Sequence, residues 1–212
     1  MPTLQSLWTL PYRSLRKVVE WLPCFRFDRE TRDTQTPATI EAWLSQYALG
    51  RNRGPYWPVH PSSMVVGWRN ILIGVETSPG LMPGCYIQGL GVIQIGDYTQ
   101  IASNVGIISA NHDPCDNRKH IPERVEIGAY CWIGMGAIIL PGVRLGDFTV
   151  VGANSVVTKG FPEGHCVIAG NPAKKIRDLA PDACQRHTST HEYHGFIHRD
   201  RFPAFRAKHL NL

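Results

Sequence analysis

Nine aliphatic residues open six-residue units in one register: Ile95, Ile101 and Ile107, then Ile127, Ile133, Ile139, Leu145, Val151 and Val157. Four residues after each opener stands a residue that is usually small or apolar, at Thr99, Val105, Asn111, Cys131, Ala137, Val143, Thr149 and Ser155. Gly follows the opener directly at Gly96, Gly128, Gly134, Gly146 and Gly152. A half-buried strand alternates with period two, so a run of units six residues long is not an ordinary strand. A fixed short repeat specifies a solenoid whose units stack on their neighbours. The predicted fold is an all-β solenoid, a parallel β-helix in which the opener fills a narrow three-sided prism. Three units make one coil, and coils stack about 4.8 Å apart.

The repeat is richest in CWIGMGAIILPGVRLGDFTVVGANSVVTKGFPEGHCVIAGNPAKKIR, residues 131–177. With the coils on either side, from about Val59 to Asp178, this stretch resembles the hexapeptide-repeat acyltransferases. The resemblance implies a left-handed parallel β-helix and a homotrimer; handedness is taken from it alone, because right-handed crossovers are otherwise the rule. On this reading the chain divides into an N-terminal extension with short helices (1–58), a β-helix acyltransferase domain (59–178) and a short C-terminal tail (179–212).

The remaining composition fits one such unit. A formal charge of +5 suits an anionic ligand such as a coenzyme carrying phosphates. The basic residues are scattered and no nucleic-acid module is recognisable, so no nucleic acid is expected as a partner. Six Cys, at 24, 85, 115, 131, 166 and 184, form no CxxC pair, which points to a reducing compartment. No signal peptide and no apolar run of about 20 residues is present, so the expected location is cytoplasmic.

Upstream of the coils, TPATIEAWLSQYALG predicts a helix with Thr36 as cap and Pro37 at its first position. Ile40, Trp43, Leu44 and Tyr47 share a face, and Gly50 ends it. It is expected to plug or flank the open end of the prism. RSLRKVVEWLP places Leu15, Val18, Val19 and Leu22 on one side and Arg13, Arg16 and Lys17 largely on another. Such a basic amphipathic helix suits packing on the β-helix or on a neighbouring subunit, with peripheral membrane contact as the alternative. Ile73-Gly74 and Thr77 look like one more unit, and SPGLMPGCYIQGLG predicts a distorted first coil.

One interruption dominates. After Ile107 the next plausible opener is Ile121, with Val125 in its small-residue slot, so the eight residues Asp113 to His120 leave the coil as a loop directly after His112. Insertions in solenoids lie on one face and often build the binding site. His112 is therefore the candidate catalytic base, since a neutral imidazole in reach of a hydroxyl proton can remove it as the oxygen attacks a thioester. The resemblance implies the same role.

Other histidines and cysteines weigh less. A related β-helix family, the gamma-type carbonic anhydrases, binds zinc with His on adjacent coils, but no His occurs from Ile121 to Val157. No metal is expected. His187, His191, His194 and His198 have helical spacing, yet Thr188, Ser189, Thr190 and Gly195 disfavour a helix, so a partly ordered, solvated tail is predicted. Cys115 could carry an acyl group in a two-step transfer, whereas the resemblance implies direct transfer. Cys131 fills an inward slot and is expected to pack.

The resemblance further implies acetyl-CoA as co-substrate. Its pantetheine arm would lie in a groove between neighbouring prisms, bonded to backbone at Met135 and Ala153. VVTKGFP would supply Thr158 and Lys159, and Lys159, Lys174 and Arg177 would meet the phosphates. For the acceptor, Asn104 in ASNVG matches the family's PNV asparagine, although Ala102-Ser103 stands where Gly-Pro is common. Trp132 matches the tryptophan of VWIG and would wall the thioester or sugar, or pack a corner. The function implied is an acetyl-CoA-dependent O-acetyltransferase acting on a sugar hydroxyl, in bacterial surface polysaccharide biosynthesis. N-acetylation of an amino sugar nucleotide is the runner-up. Serine acetyltransferase would need a large helical N-terminal domain, and a non-catalytic trimeric scaffold would not need His112 or VVTK.

Overall fold

All nine openers point inward, none more than 8% exposed. Ile127 pairs with Leu145, Ile133 with Val151 and Ile139 with Val157, all parallel and each eighteen residues on. Three six-residue units thus return the chain to the same sheet. The computed structural model, which describes Val19 and residues 22–212, contains three sheets built this way.

The first sheet takes Met64–Val66, Tyr86–Gln88, Gly106–Ile108, Ile138–Ile139 and Val156–Val157. The second takes Ile71–Ile73, Ile93–Ile95, Val125–Ile127 and Arg144–Leu145. The third takes Gln100–Ile101, Trp132–Ile133, Thr149–Val151 and Cys166–Gly170, closed by the antiparallel strand Ala173–Asp178. From Tyr86 to Val157 the chain visits first, second and third sheet in rotation, so each strand's apolar side meets those of the other two sheets.

Close approach of the coils explains the glycines that follow the openers. A Cβ at Gly128 would lie 2.5 Å from the Asp147 nitrogen, and one at Gly134 2.6 Å from the Val151 oxygen. Buried hydroxyls then satisfy backbone groups left over at the corners. The Thr99 hydroxyl donates to the Gly128 carbonyl at 2.7 Å and accepts from the Cys131 N–H at 3.0 Å.

Coil length varies where the pattern is weak. Ile73 pairs with Ile95, twenty-two residues on, and Ile87 with Ile107, twenty residues on. Two of the extra residues fall between Ile73 and Ile87 and two between Ile87 and Ile95, in the stretch whose Gly and Pro content predicts distortion. The large interruption is longer than the sequence suggested. Ile95 pairs with Ile127 and Ile107 with Ile139, so twenty residues separate openers Ile107 and Ile127 where the repeat needs six, and fourteen leave the coil. Ile121 is no opener: it is 42% exposed, and Asn111 is also exposed rather than in an inward slot. Both belong to an antiparallel hairpin, Ala110–His112 against His120–Pro122. Ile121 misled because an isolated aliphatic at a multiple of the period cannot be distinguished from an opener without its partner strand.

The N-terminal helix runs over Ile40–Tyr47. Its cap is Thr39, which accepts from the Ala42 N–H at 3.1 Å, and not Thr36; Pro37 lies before the helix. The buried Asp28 carboxylate takes the Ile40 N–H at 2.9 Å, which fixes the start. Leu44 is exposed, while Ile40 and Gln46 are buried. The helix flanks the end of the coils, and Tyr56 and Trp57 fill it. Of RSLRKVVEWLP, residues 13–18, 20 and 21 lie outside the described residues; Leu22 is exposed. Among the described residues no helix is long and apolar enough to cross a membrane.

Gln46 holds this end together. Its amide nitrogen donates to the carbonyls of Asn52, Pro55 and Trp57, and its oxygen accepts from the Val59 N–H at 2.8 Å. Gln46→Leu should therefore cost on the order of 3 kcal/mol, because fully buried backbone groups lose their partners. Urea denaturation checks this: the midpoint should fall at unchanged slope, and an unmoved midpoint would refute the role.

The expectation of a solvated C-terminal tail is corrected. Residues 187–198 are not helical but include a small hairpin, Tyr193–His194 with Ile197–His198, and a helix follows at Phe202–His209. Phe202 and Leu210 enter the main core. The Tyr193 hydroxyl donates to Glu30 and the Ser189 hydroxyl to Glu76, while the Phe196 N–H reaches the Tyr56 carbonyl at 3.0 Å. His194 donates to the Ile73 carbonyl at 2.9 Å and stacks on Phe202; its burial lowers its pKa. Upstream, Arg186 pairs with Asp147 at 2.7 Å and lies over the stacked rings of Tyr130 and Phe148. The tail therefore runs back along the coils to their first turn.

Candidate functional site

The edge between the first and second sheets carries the hairpin. Ser109, fully buried, anchors its base: its hydroxyl donates to the Gln88 carbonyl at 2.7 Å and accepts from the Gly91 N–H at 2.9 Å. Its own carbonyl takes the Glu123 N–H at 2.8 Å and closes the neck. His112 ends the outgoing strand, exposed, directly opposite His120 of the returning one. His120 thus belongs to the hairpin's ladder, and the turn proper spans residues 113–119. The Asn117 carbonyl lies 2.6 Å from His112 Nδ1. A carbonyl only accepts, so Nδ1 carries the proton and Nε2 presents its lone pair outward. That is the tautomer a general base needs.

Thr158 and Lys159 follow Val157 at the same edge, two coils further along. Both are exposed, and the Lys159 ammonium lies 6.0 Å from the centre of the Phe161 ring.

The other edge of the first sheet, shared with the third, gathers a second group. Asn104, Met135 and Ala153 stand at equivalent corners of successive coils: the Gly136 N–H bonds the Ser103 carbonyl and the Asn154 N–H bonds the Met135 carbonyl. Among the described residues neither the Met135 nor the Ala153 N–H has a hydrogen-bond partner, and both residues are exposed, which leaves two free donors at corners of successive coils. Asn104 has φ 58°, the left-handed conformation that Asn tolerates. Its Oδ1 covers Gly84, where a Cβ would lie only 2.0 Å away.

Trp132 is 52% exposed on the outer face of the third sheet. It is paired with Gln100 and Val150; Val150 pairs with Val167, and Val167 with Arg177. One outward row thus runs from the indole to the Arg177 guanidinium, with Lys174 opposite Ala169 beside it. Lys174 and Arg177 are exposed, whereas Lys175 is engaged with Asp178 at 2.7 Å. The three cations proposed for phosphates do not form one patch: Lys174 and Arg177 share a face, and Lys159 sits across the first sheet, on the edge that carries the hairpin two coils away.

Burial pushes the Cys131 thiol up to about 12, which removes it as a nucleophile and fits its packing role. Cys115 lies exposed in the hairpin turn, its N–H bonded to Asp113 Oδ1 at 2.8 Å. Among the described residues no group of three or more His, Cys, Asp or Glu could hold a metal ion. Sequence reasoning missed the Asn117 carbonyl and the Ser109 anchor. A backbone acceptor leaves no mark in a sequence, and a single Ser after an apolar pair is commonplace.

Residues 124–159 match the family described as bacterial transferase hexapeptide (six repeats). Among curated proteins, the putative colanic acid biosynthesis acetyltransferase WcaF of Escherichia coli is 38% identical over 90 residues, covering 42% of this chain and 49% of that one. The galactoside O-acetyltransferase of the same organism is 37% identical over 91 residues, covering 41% and 44%. A putative acetyltransferase of Schizosaccharomyces pombe is 36% identical over 102 residues, covering 45% and 47%. The chain spans about half the length of the curated relatives it matches. Among solved structures, a galactoside acetyltransferase in complex with coenzyme A aligns with TM-score 0.57 at 25% identity, over 88% of this chain and 90% of that one. A maltose O-acetyltransferase from Clostridium difficile 630 aligns with TM-score 0.52 at 29% identity, over 77% and 88%.

Proposed function

We propose that this chain, which carries the hexapeptide repeat of bacterial transferases, is a left-handed parallel β-helix enzyme that moves an acetyl group from acetyl-CoA to a sugar hydroxyl. The observation that carries the proposal is the His112 imidazole, exposed at a sheet edge with Nδ1 held by the Asn117 carbonyl. The acceptor hydroxyl gives its proton to His112 Nε2 as its oxygen attacks the thioester carbonyl carbon. A donor such as the Met135 N–H steadies the oxyanion. The C–S bond then breaks, and the thiolate leaves with the proton that His112 returns. The relatives named for colanic acid and galactosides support a saccharide acceptor, and a bacterial surface polysaccharide unit is the reading adopted.

One chain holds only half of each site. His112, Thr158 and Lys159 lie on one edge of the first sheet; Asn104, Met135 and Ala153 lie on the other, with Trp132, Lys174 and Arg177 on the adjoining face. One outward row of the first sheet is apolar, Met64, 57% exposed, then Tyr86, Gly106, Ile138 and Val156, and the shorter row beside it is Val66, Gln88 and Ile108. The second sheet instead presents Leu72, Gln94, Glu126 and Arg144, with Glu126 in ion pairs to Arg124 and Arg144. Three chains that turn their first sheets toward a common axis bury the apolar rows. Each chain's His112 edge then meets the next chain's Met135 edge. The coenzyme would lie in that groove, its phosphates on Lys174 and Arg177 of one chain and Lys159 of the next.

Incubation of the purified protein with acetyl-CoA and a panel of sugars, nucleotide sugars and lipid-linked glycans tests the function. Mass spectrometry should show one acetyl group gained on a hydroxyl. Modification of amino groups alone would favour N-acetylation of an amino sugar nucleotide, and no thiol release with any acceptor would favour the scaffold. For the phosphate site, replacing Lys174 and Arg177 by Ala should raise the apparent KM for acetyl-CoA about tenfold and leave the acceptor KM near its parent value. Added salt should mimic the defect. Equal changes in both constants would count against the assignment.

A further inference from the structure

We propose that His120 is the positioning residue for His112, fixing the plane of the base; this rests on the role of His112 given above. The two residues face each other across the hairpin ladder, with ring centroids 4.4 Å apart and planes at 44°. A hydrogen bond from Nδ1 to the Asn117 carbonyl anchors one atom of the ring. It chooses the tautomer and, with the Cβ tether, leaves the exposed ring a libration rather than one fixed plane. A second contact narrows that libration and with it the direction of Nε2. Among the described residues no other ring touches His112.

Both histidines are exposed, so neither is immobilised by surrounding core packing. The hairpin supplies the restraint instead. Its backbone bonds, Asp113 N–H to the Lys119 carbonyl at 2.9 Å and Glu123 N–H to the Ser109 carbonyl at 2.8 Å, set the facing positions. Asp113 also accepts from the Cys115 and Asp116 N–H groups and stiffens the turn. The chain thus uses the second strand of the hairpin, fourteen residues of insertion in all, to bring one flat ring against another.

The test compares His120→Ala, His120→Phe and His112→Ala with the parent, using acetyl-CoA with maltose and with methyl galactoside as probe acceptors. Misplacing a base by a fraction of its reach costs up to about a hundredfold, so His120→Ala should lower kcat about ten- to a hundredfold. The KM values for both substrates should stay within about twofold of the parent, because His120 acts on His112 and is assigned no contact with either substrate. His120→Phe keeps a flat ring at the same place and should recover most of the loss. A His120→Ala enzyme with parental kcat overturns the proposal, as does a His120→Phe enzyme no better than the Ala variant. The reading it rests on fails separately: if His112→Ala is as active as the parent, the base is not His112. If His112→Ala is inactive while His120→Ala is unimpaired, only the positioning role falls.

Discussion

Replacement of His112 by Ala is expected to lower turnover by about 10² to 10⁴, the usual contribution of a positioned general base. Assembly and coenzyme affinity should be unchanged. The hairpin is held by backbone bonds and by Ser109, and the N–H groups of Met135 and Ala153 lie on the opposite edge of the first sheet. The loss should therefore appear in kcat with little change in the coenzyme constant. Steady-state kinetics on the purified variant reads this directly. Near-parental turnover would remove His112 from the mechanism, and a parallel rise in the coenzyme KM would mean that the ring binds rather than reacts.

The second large effect is a rescue. A His112→Ala chain is defective at one edge, and a chain with Lys174→Glu and Arg177→Glu is defective at the other face. Each homotrimer should be nearly inactive. Co-expressed with two tags and purified through both, mixed trimers contain either one or two chains of each kind. In a cyclic arrangement every such trimer, whichever its composition, holds one site that receives His112 from one parent and Lys174 with Arg177 from the other. About one third of the parental turnover per trimer should return. Lys159 must be left intact in both chains, because it shares the His112 edge. Mixed trimers without recovery would place each site within one chain, and active monomers on light scattering would remove the shared site altogether.

The period of six was enough to name the inside of the molecule, because each opener repeats one physical demand, an aliphatic group in a narrow interior. It also pointed to a departure near His112, although the chain leaves the coil at Ala110 and His112 already stands on the hairpin. It did not give the extent of that departure. Ile121 satisfies the same local demand as an opener, and only the pairing of Ile95 with Ile127 shows that it is outside. The tail was misread for a similar reason. Thr188, Ser189 and Thr190 are polar and poor helix formers, but the Ser189 hydroxyl bonds Glu76 and its N–H bonds the Tyr98 hydroxyl at 3.0 Å, across the sequence. Polarity reported correctly that no helix forms and wrongly that no packing does. The candidate site was legible as a set of residues and illegible as a geometry, since a linear order cannot say that Lys159 and Lys174 stand on different edges.

The return of the C-terminal segment has a consequence for synthesis. Coils can stack in the order they are made, because each pairs with the one completed just before it. The first coil is different: Tyr56 and Trp57 at its mouth share a core with Phe202 and Leu210, and the Asn211 N–H bonds the Arg69 carbonyl at 2.9 Å. Those partners are translated after every coil. The Tyr56 end of the first coil therefore cannot close until the segment through Asn211 has been made, and it stays open to water while the later coils stack.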